Sequence, residues 1–207
     1  MLTLKQNQPQ LLTLNHYLWR CVEKPAVNAT LKMIAAGLEV SFTVKESQPL
    51  ITATVQQEPM LMVCQDSAVE LFLAFADAKE QANAQDFKPY IEKCLYLNIE
   101  INAAGICYAK HGHSRKNRVA FTPEQMQSLG ISTQIEADKW QVHFTVPRQL
   151  ISSLCGYDAF AHVFALNLYK ISETPEHEHY VAFNPIAEPK PNFHLPQYFA
   201  LAQVLPE

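Results

Sequence analysis

The chain has 207 residues, 48% hydrophobic and only 17% charged, so it holds ample apolar material for a core and lacks the charge density of a disordered chain. Its 16 Lys and Arg stand against 20 Asp and Glu, a formal charge of -4, and apart from a short basic run at 110–118 the cations are scattered. That pattern excludes a polyanion-binding surface and with it nucleic acid as a partner. The first residues carry no signal-peptide core and no stretch reaches the length of a bilayer span, so the sequence predicts a soluble cytoplasmic chain without membrane contact. The 5 cysteines (Cys21, Cys64, Cys94, Cys107 and Cys155) are odd in number and without tight spacing, and read as small buried thiols of a reducing compartment.

In chain order, alternation of apolar and polar residues, the period of a half-buried strand, recurs from about residue 29 onward. The clearest runs are 38–45, 69–75, 95–102, 140–146 and 162–171. Gly37, Gly105, Pro25, Pro59, Pro89 and Pro147, with polar patches at 77–86 and 173–179, separate them as turns and loops. One segment differs: Thr122, Pro123, Glu124 and Gln125 supply an N-cap, a first-turn proline and a capping-box partner ahead of Met126 and Leu129, predicting a short helix. The proline-rich stretch 183–196 cannot donate to a ladder and is expected to wrap one end of the molecule as an ordered loop. No linker or repeat marks a boundary, so the whole of 1–207 reads as one all-β domain: an antiparallel, jelly-roll-like β-sandwich with one short helix.

No GxSxG, phosphate-cradling glycine loop or HExxH is present, and 5 glycines leave little material for such loops. Asp66, Glu70 and Glu100 come together if their strands adjoin. Paired carboxylates of that kind hydrogen-bond sugar hydroxyls, bind cations or, across a groove, hydrolyse glycosides. Two His-x-His pairs, His111 with His113 and His177 with His179, have a spacing that can ligate zinc on a strand, but both lie in polar, loop-like sequence and read as solvated histidines. The 111–118 cluster likewise reads as a solvated turn. Phe183, Phe193, His194, Tyr198 and Phe199 crowd the proline-rich region, where rings either face a ligand or plug the sandwich.

Four segments then occur in order: QDSAVELFL at 65–73, YLNIEINAAGICY at 96–108, FALNLYK at 164–170 and HYVAFNPIAEPKPNFHLPQYFALAQV at 179–204. With them the chain resembles the carbohydrate-binding module family 9 group, including its stand-alone members. The resemblance implies an antiparallel sandwich that holds a short saccharide or sugar end between two tryptophans, with carboxylate, amide and basic groups around it. It places the motif carboxylates at Asp66 and Glu70 and the central-strand polar residues at Asn98 and Glu100. The first platform tryptophan falls where this chain has Cys64, and the second falls at Phe193, followed by His194. Calcium sites belong to the family pattern, but the chain has no acidic Asp-x-Asp-x-Asp loop; no cofactor is required, and a structural calcium is allowed by resemblance alone.

The reading from sequence is a non-catalytic carbohydrate-binding domain with Asp66, Glu70, Asn98, Glu100, Phe193 and His194 around an aromatic, carboxylate and amide cleft, and a saccharide as ligand. The alternatives are an interaction or structural sandwich that has lost sugar binding, with those rings buried, or a glycoside-acting enzyme.

Overall fold

The computed structural model describes residues 1–56, 62–76 and 94–205. The turns expected at Pro59 and Pro89 and the polar patch 77–86 lie outside these residues. No helix is long and apolar enough to cross a membrane. Among the described residues the strands form two stacked sheets, as the alternation predicts.

The smaller sheet is built around a hairpin of β4 (Ala26–Ile34) and β5 (Gly37–Lys45), in which buried and half-buried residues alternate along both strands. β11 (Trp140–Pro147) pairs with β5, β2 (Gln10–Leu14) with β4 and β10 (Ser132–Ile135) with β11. The larger sheet runs β1 (Leu2–Lys5), β14 (Ala200–Leu205), β12 (Phe164–Ser172), β6 (Ala68–Phe75), β7 (Leu95–Asn102), β8 (Cys107–Gly112), β9 (Val119–Ala120). β13 (His179–Ala182) takes over from β14 beside the far half of β12, and β3 (His16–Tyr17) pairs with it. The main core lies between the sheets: Val40, Phe42 and Phe144 from one meet Leu71, Ile99 and Leu168 from the other, all buried. Burial on that scale is the chief stabilising term of a sandwich.

Lys170 points into this interior. It is fully buried, with Nζ 2.6 Å from His179 Nε2, 3.5 Å from Glu46 Oε2 and 5.6 Å from the Trp140 ring centroid. Glu46 is held in turn by Trp140 Nε1 at 2.7 Å and Ser67 Oγ at 2.8 Å. Burial pulls the ammonium down to about 8 against the opposing pull of Glu46, and burial together with the Lys170 charge takes His179 down to about 3. His179 is therefore no solvated loop histidine: it is a neutral acceptor inside the fold, while His177 pairs with Glu23 at 2.9 Å.

Several elements depart from the sequence reading. Strands begin at Leu2, well before residue 29, because β1 and β2 are short and draw their order from distant partners. β1 runs parallel to β14, so the sandwich is not wholly antiparallel. The helix at Pro123–Ser128 (α1) forms with its Thr122–Gln125 capping box complete, but a second helix, α2 (Arg148–Cys155), follows Pro147 and ends at Gly156 with φ 77. Its Leu150, Ile151 and Leu154 pack against the main core, and the Gly156 stop was its one sequence signal. The strand expected at 162–171 starts at Phe164, after a 3-10 turn at Ala159–Ala161. The 183–196 stretch is irregular as expected, but it crosses the outer face of the larger sheet rather than one end. That face is apolar around Phe72, Ala165 and Tyr169 and has to be covered, which Ile186, Phe193 and Phe199 do.

Gly37 is fixed by close approach. It opens β5 with φ 150, and a Cβ there would sit 2.1 Å from the Val146 carbonyl oxygen and 2.8 Å from Arg148 N. Gly37→Ala is expected to cost well over about 1 kcal/mol, seen as a lower urea midpoint with an unchanged slope.

Candidate functional site

The site is set by three neighbouring strands of the larger sheet. Every residue of β6 is buried, because Val69, Leu71 and Leu73 face the main core while Ala68, Glu70 and Phe72 face the covering strap. Register places Glu70 directly opposite Glu100 on β7 and opposite Tyr169 on β12. Over these the strap lays its rings: Phe193 stacks on Tyr169 at 3.9 Å and 9°, and His194 meets Phe72 edge-on at 5.0 Å. Trp19, held through Nε1 by the Glu188 carbonyl at 2.6 Å, lies 5.7 Å from Phe193 on its other flank.

Beside this apolar cover a cavity of about 260 Å³ remains open. Glu70 and Glu100 line it from the sheet, Cys64, Glu173 and Tyr180 from one side, Tyr108 and Arg115 from another, and Asn192, Phe193 and His194 from the strap. Its volume lies just below the roughly 300 Å³ lower end of small-ligand cavities, enough for a small ring and not for a polymer groove.

Of the six residues singled out from sequence, Glu70, Glu100, Phe193 and His194 line this cavity. Asn98 is buried on the same face of β7 two residues from Glu100, with Oδ1 accepting from Arg118 Nη1. Asp66 stands apart from the other five. It is fully buried, Oδ1 accepts from Thr52 N (2.9 Å) and Thr52 Oγ1 (2.5 Å), and Oδ2 accepts from Ala53 N (3.0 Å) and Asn102 Nδ2 (2.8 Å). Four donors saturate both oxygens, so the carboxylate fixes the 52–53 segment against β7. Arg115, Tyr108, Glu173, Tyr180 and Asn192 were not singled out from sequence. Arg115 belongs to the cluster read as a solvated turn; it lines the cavity, and its Nη1 lies 3.4 Å from Asn192 Oδ1.

Charge in the cavity is governed by burial. Glu70 and Glu100 are 4% and 7% exposed. Burial first, then the neighbouring carboxyls, holds Glu70 well above the usual carboxylate range; Arg118 and Arg115 oppose this. Burial and Glu173 push Glu100 up to about 8, against Arg118 and a backbone hydrogen bond from Cys64. Burial and the same two arginines bring His194 down to about 3, leaving a neutral ring at physiological pH. The Cys64 thiol, 3.3 Å from Glu173 Oε2, is driven far up by burial and by Glu100 and Glu173, so it is a donor and not a nucleophile. Four buried polar atoms at or beside the site, Tyr96 Oη, Asn98 Nδ2, Tyr169 Oη and His194 Nδ1, have no hydrogen-bond partner among the described residues. Unmet groups of this kind mark a place where water or a ligand completes the network.

Residues 2–204 match the sequence profile of carbohydrate-binding family 9, and the chain belongs to that family. No curated protein matches it in sequence. Among solved structures, a candidate carbohydrate-binding protein of Bacteroides uniformis is 18% identical with a TM-score of 0.74, over 95% of this chain and 86% of that one. A family 9 carbohydrate-binding module of Caldicellulosiruptor kristjanssonii, in complex with cellotriose, is 9% identical with a TM-score of 0.60, over 100% and 94%. The glucose complex of a family 9 module from the same organism gives 10%, 0.59, 100% and 96%. At these identities the structural likeness establishes the fold.

The titrations carry a pH signature. Carboxyls raised in the folded state, as Glu70 and Glu100 are, contribute stability that is complete below their ordinary value near 4.5 and is lost as pH rises through their folded values, about 8 for Glu100. The lowered His179 and His194 act oppositely, adding stability as pH rises from about 3 to 6.5, and Lys170 acts only above about 8. Between pH 6.5 and 8 the carboxyls therefore dominate. Stability should fall there by up to roughly 1.4 kcal/mol per pH unit for each proton released. In Glu100→Gln the thermal midpoint should change much less across that window.

Proposed function

We propose that this chain is a non-catalytic domain that binds a short saccharide, or the end of one, in the cleft between the larger sheet and its proline-rich strap. The observation that carries this reading is the convergence of Glu70, Glu100, Phe193 and His194, drawn from two strands and a distant loop, on one cavity of about 260 Å³. Family membership supports it, as do the cellotriose and glucose held by the Caldicellulosiruptor modules. Arg115, Asn192 and the carboxyls supply the donors and acceptors that hydroxyls need. Ring stacking is limited: Phe193 is 6% exposed with one face on Tyr169, and Cys64 contributes no ring. Losing such a face forgoes about 1 kcal/mol, so polar contacts dominate recognition here.

The placement of the two carboxyls favours binding without catalysis. Glu70 and Glu100 are direct cross-strand neighbours on one surface, whereas a glycosidase sets its two carboxyls on either side of the scissile bond. Among the described residues no three His, Cys, Asp or Glu side chains gather as an ion site. Five free thiols support the cytoplasmic reading.

Calorimetry of the purified protein against neutral, basic and acidic mono- and oligosaccharides tests the proposal. Saturable binding is expected, weakened at least about tenfold in Arg115→Ala and in Glu70→Gln with little change in thermal midpoint. Silence across the panel from folded protein would overturn it in favour of an interaction domain.

A further inference from the structure

The charged groups of the cleft say more about the ligand than that it is a saccharide. Glu70, Glu100 and Glu173 line the cavity, and Arg115 is the one cation that lines it among the described residues. Arg118, the next guanidinium, is engaged by the Asn98 side chain and by the Arg115 carbonyl. The lining thus holds three carboxyls to one guanidinium, and because burial keeps Glu70 and Glu100 protonated near neutral pH, their charge is available only to a ligand that brings a cation beside them. A neutral sugar meets the acceptors with its hydroxyls but leaves like groups facing each other. Glu70 is the telling residue: it is 4% exposed, it faces Glu100 across the β6–β7 ladder, and no donor among the described residues reaches its carboxyl. Two buried acids side by side, open to a cavity on one side, call for a donor that also brings positive charge.

Resting on the saccharide-binding reading above, we propose that the cleft selects a saccharide carrying a free basic amine, an unacetylated amino sugar, with its ammonium directed at Glu70 and Glu100. An ammonium has three N–H donors and no acceptor, so it satisfies carboxylate oxygens without adding a group that the site must satisfy in turn. His194 is neutral and adds no competing charge. The Asn192 amide N–H groups and the rest of the Arg115 guanidinium are left for the hydroxyls, Tyr180 Oη can accept from one while it donates to Glu178, and the small exposed part of Phe193 meets ring C–H groups. A neutral N-acetyl group removes the charge and places a methyl against the two acids, so it is disfavoured twice.

The test compares the dimers of glucosamine, N-acetylglucosamine and glucose that share one linkage and differ only in the substituent at the second carbon. Calorimetry at about pH 6.5, where the amine is protonated, should show the glucosamine dimer binding at least about tenfold more tightly than the other two. That preference should shrink several-fold in Glu173→Gln, whose exposed side chain can change without disturbing the fold, and vanish in Glu70→Gln. If the glucose or N-acetylglucosamine dimer binds as tightly as the amine, or tighter, amine selection is overturned while saccharide binding stands. If none of the three binds to folded protein and the wider panel is also silent, both readings fall.

Discussion

The cleft depends on one register. Glu70 lies between Glu100 and Tyr169 because β6 is paired with β7 and β12 in a single alignment. A slip of one residue on β6 would turn Val69 and Leu71 outward and bury Glu70 in the main core. Both faces of β6 are covered, so the alignment is enforced twice: by Leu71 and Leu73 against the smaller sheet, and by Phe72 under the rings of the strap. The carboxyl pair is thereby carried on two adjacent, almost wholly buried strands, where the side chains cannot turn aside from each other. That rigidity keeps the pair available to a ligand.

β12 reinforces this from its opposite side. Tyr169 supports Phe193 on the outer face, and the next residue, Lys170, enters the interior to meet Glu46, His179 and Trp140. A buried ammonium is poor evidence of net stability, since desolvation offsets most of its attraction. Its effect is directional: a neighbouring register would leave Lys170 without the acceptors that Glu46 and His179 provide. The cluster ties the β5 end, β11, β12 and β13 together at one corner and fixes which face of β12 looks into the cleft.

Much of this was legible in the sequence. AVELFLAF and LYLNIEIN declare strands by composition and period, and the Thr122–Gln125 cap declares α1. The order of the family motifs pointed to Asp66, Glu70, Asn98, Glu100, Phe193 and His194, and four of these, Glu70, Glu100, Phe193 and His194, line one cavity. What stayed hidden depended on contacts between distant segments. Asp66 looks like a ligand carboxylate until Thr52, Ala53 and Asn102 are seen around it. His179 reads as a polar loop residue because its partner Lys170 is on another strand. Arg115 sits in a basic run indistinguishable from a solvated turn, and only the placement of β8 beside β7 brings it over the carboxyls. Strands β1 to β3 are too short to show a period and exist because β14, β4 and β13 offer them edges. Periodicity assigns a side chain to a face, but it does not say whether that face is open, roofed or hollowed.

The parallel pairing of β1 with β14 has a mechanical consequence. Leu2 lies beside Ala202 and Lys5 beside Leu205, so the chain leaves this pair at opposite ends of the two strands. Tension applied through the two ends would draw the strands past each other, loading their ladder of hydrogen bonds together instead of opening it one bond at a time. The edge of the larger sheet is thus a clasp, strongest against a pull along the strands and weakest against peeling at right angles to them.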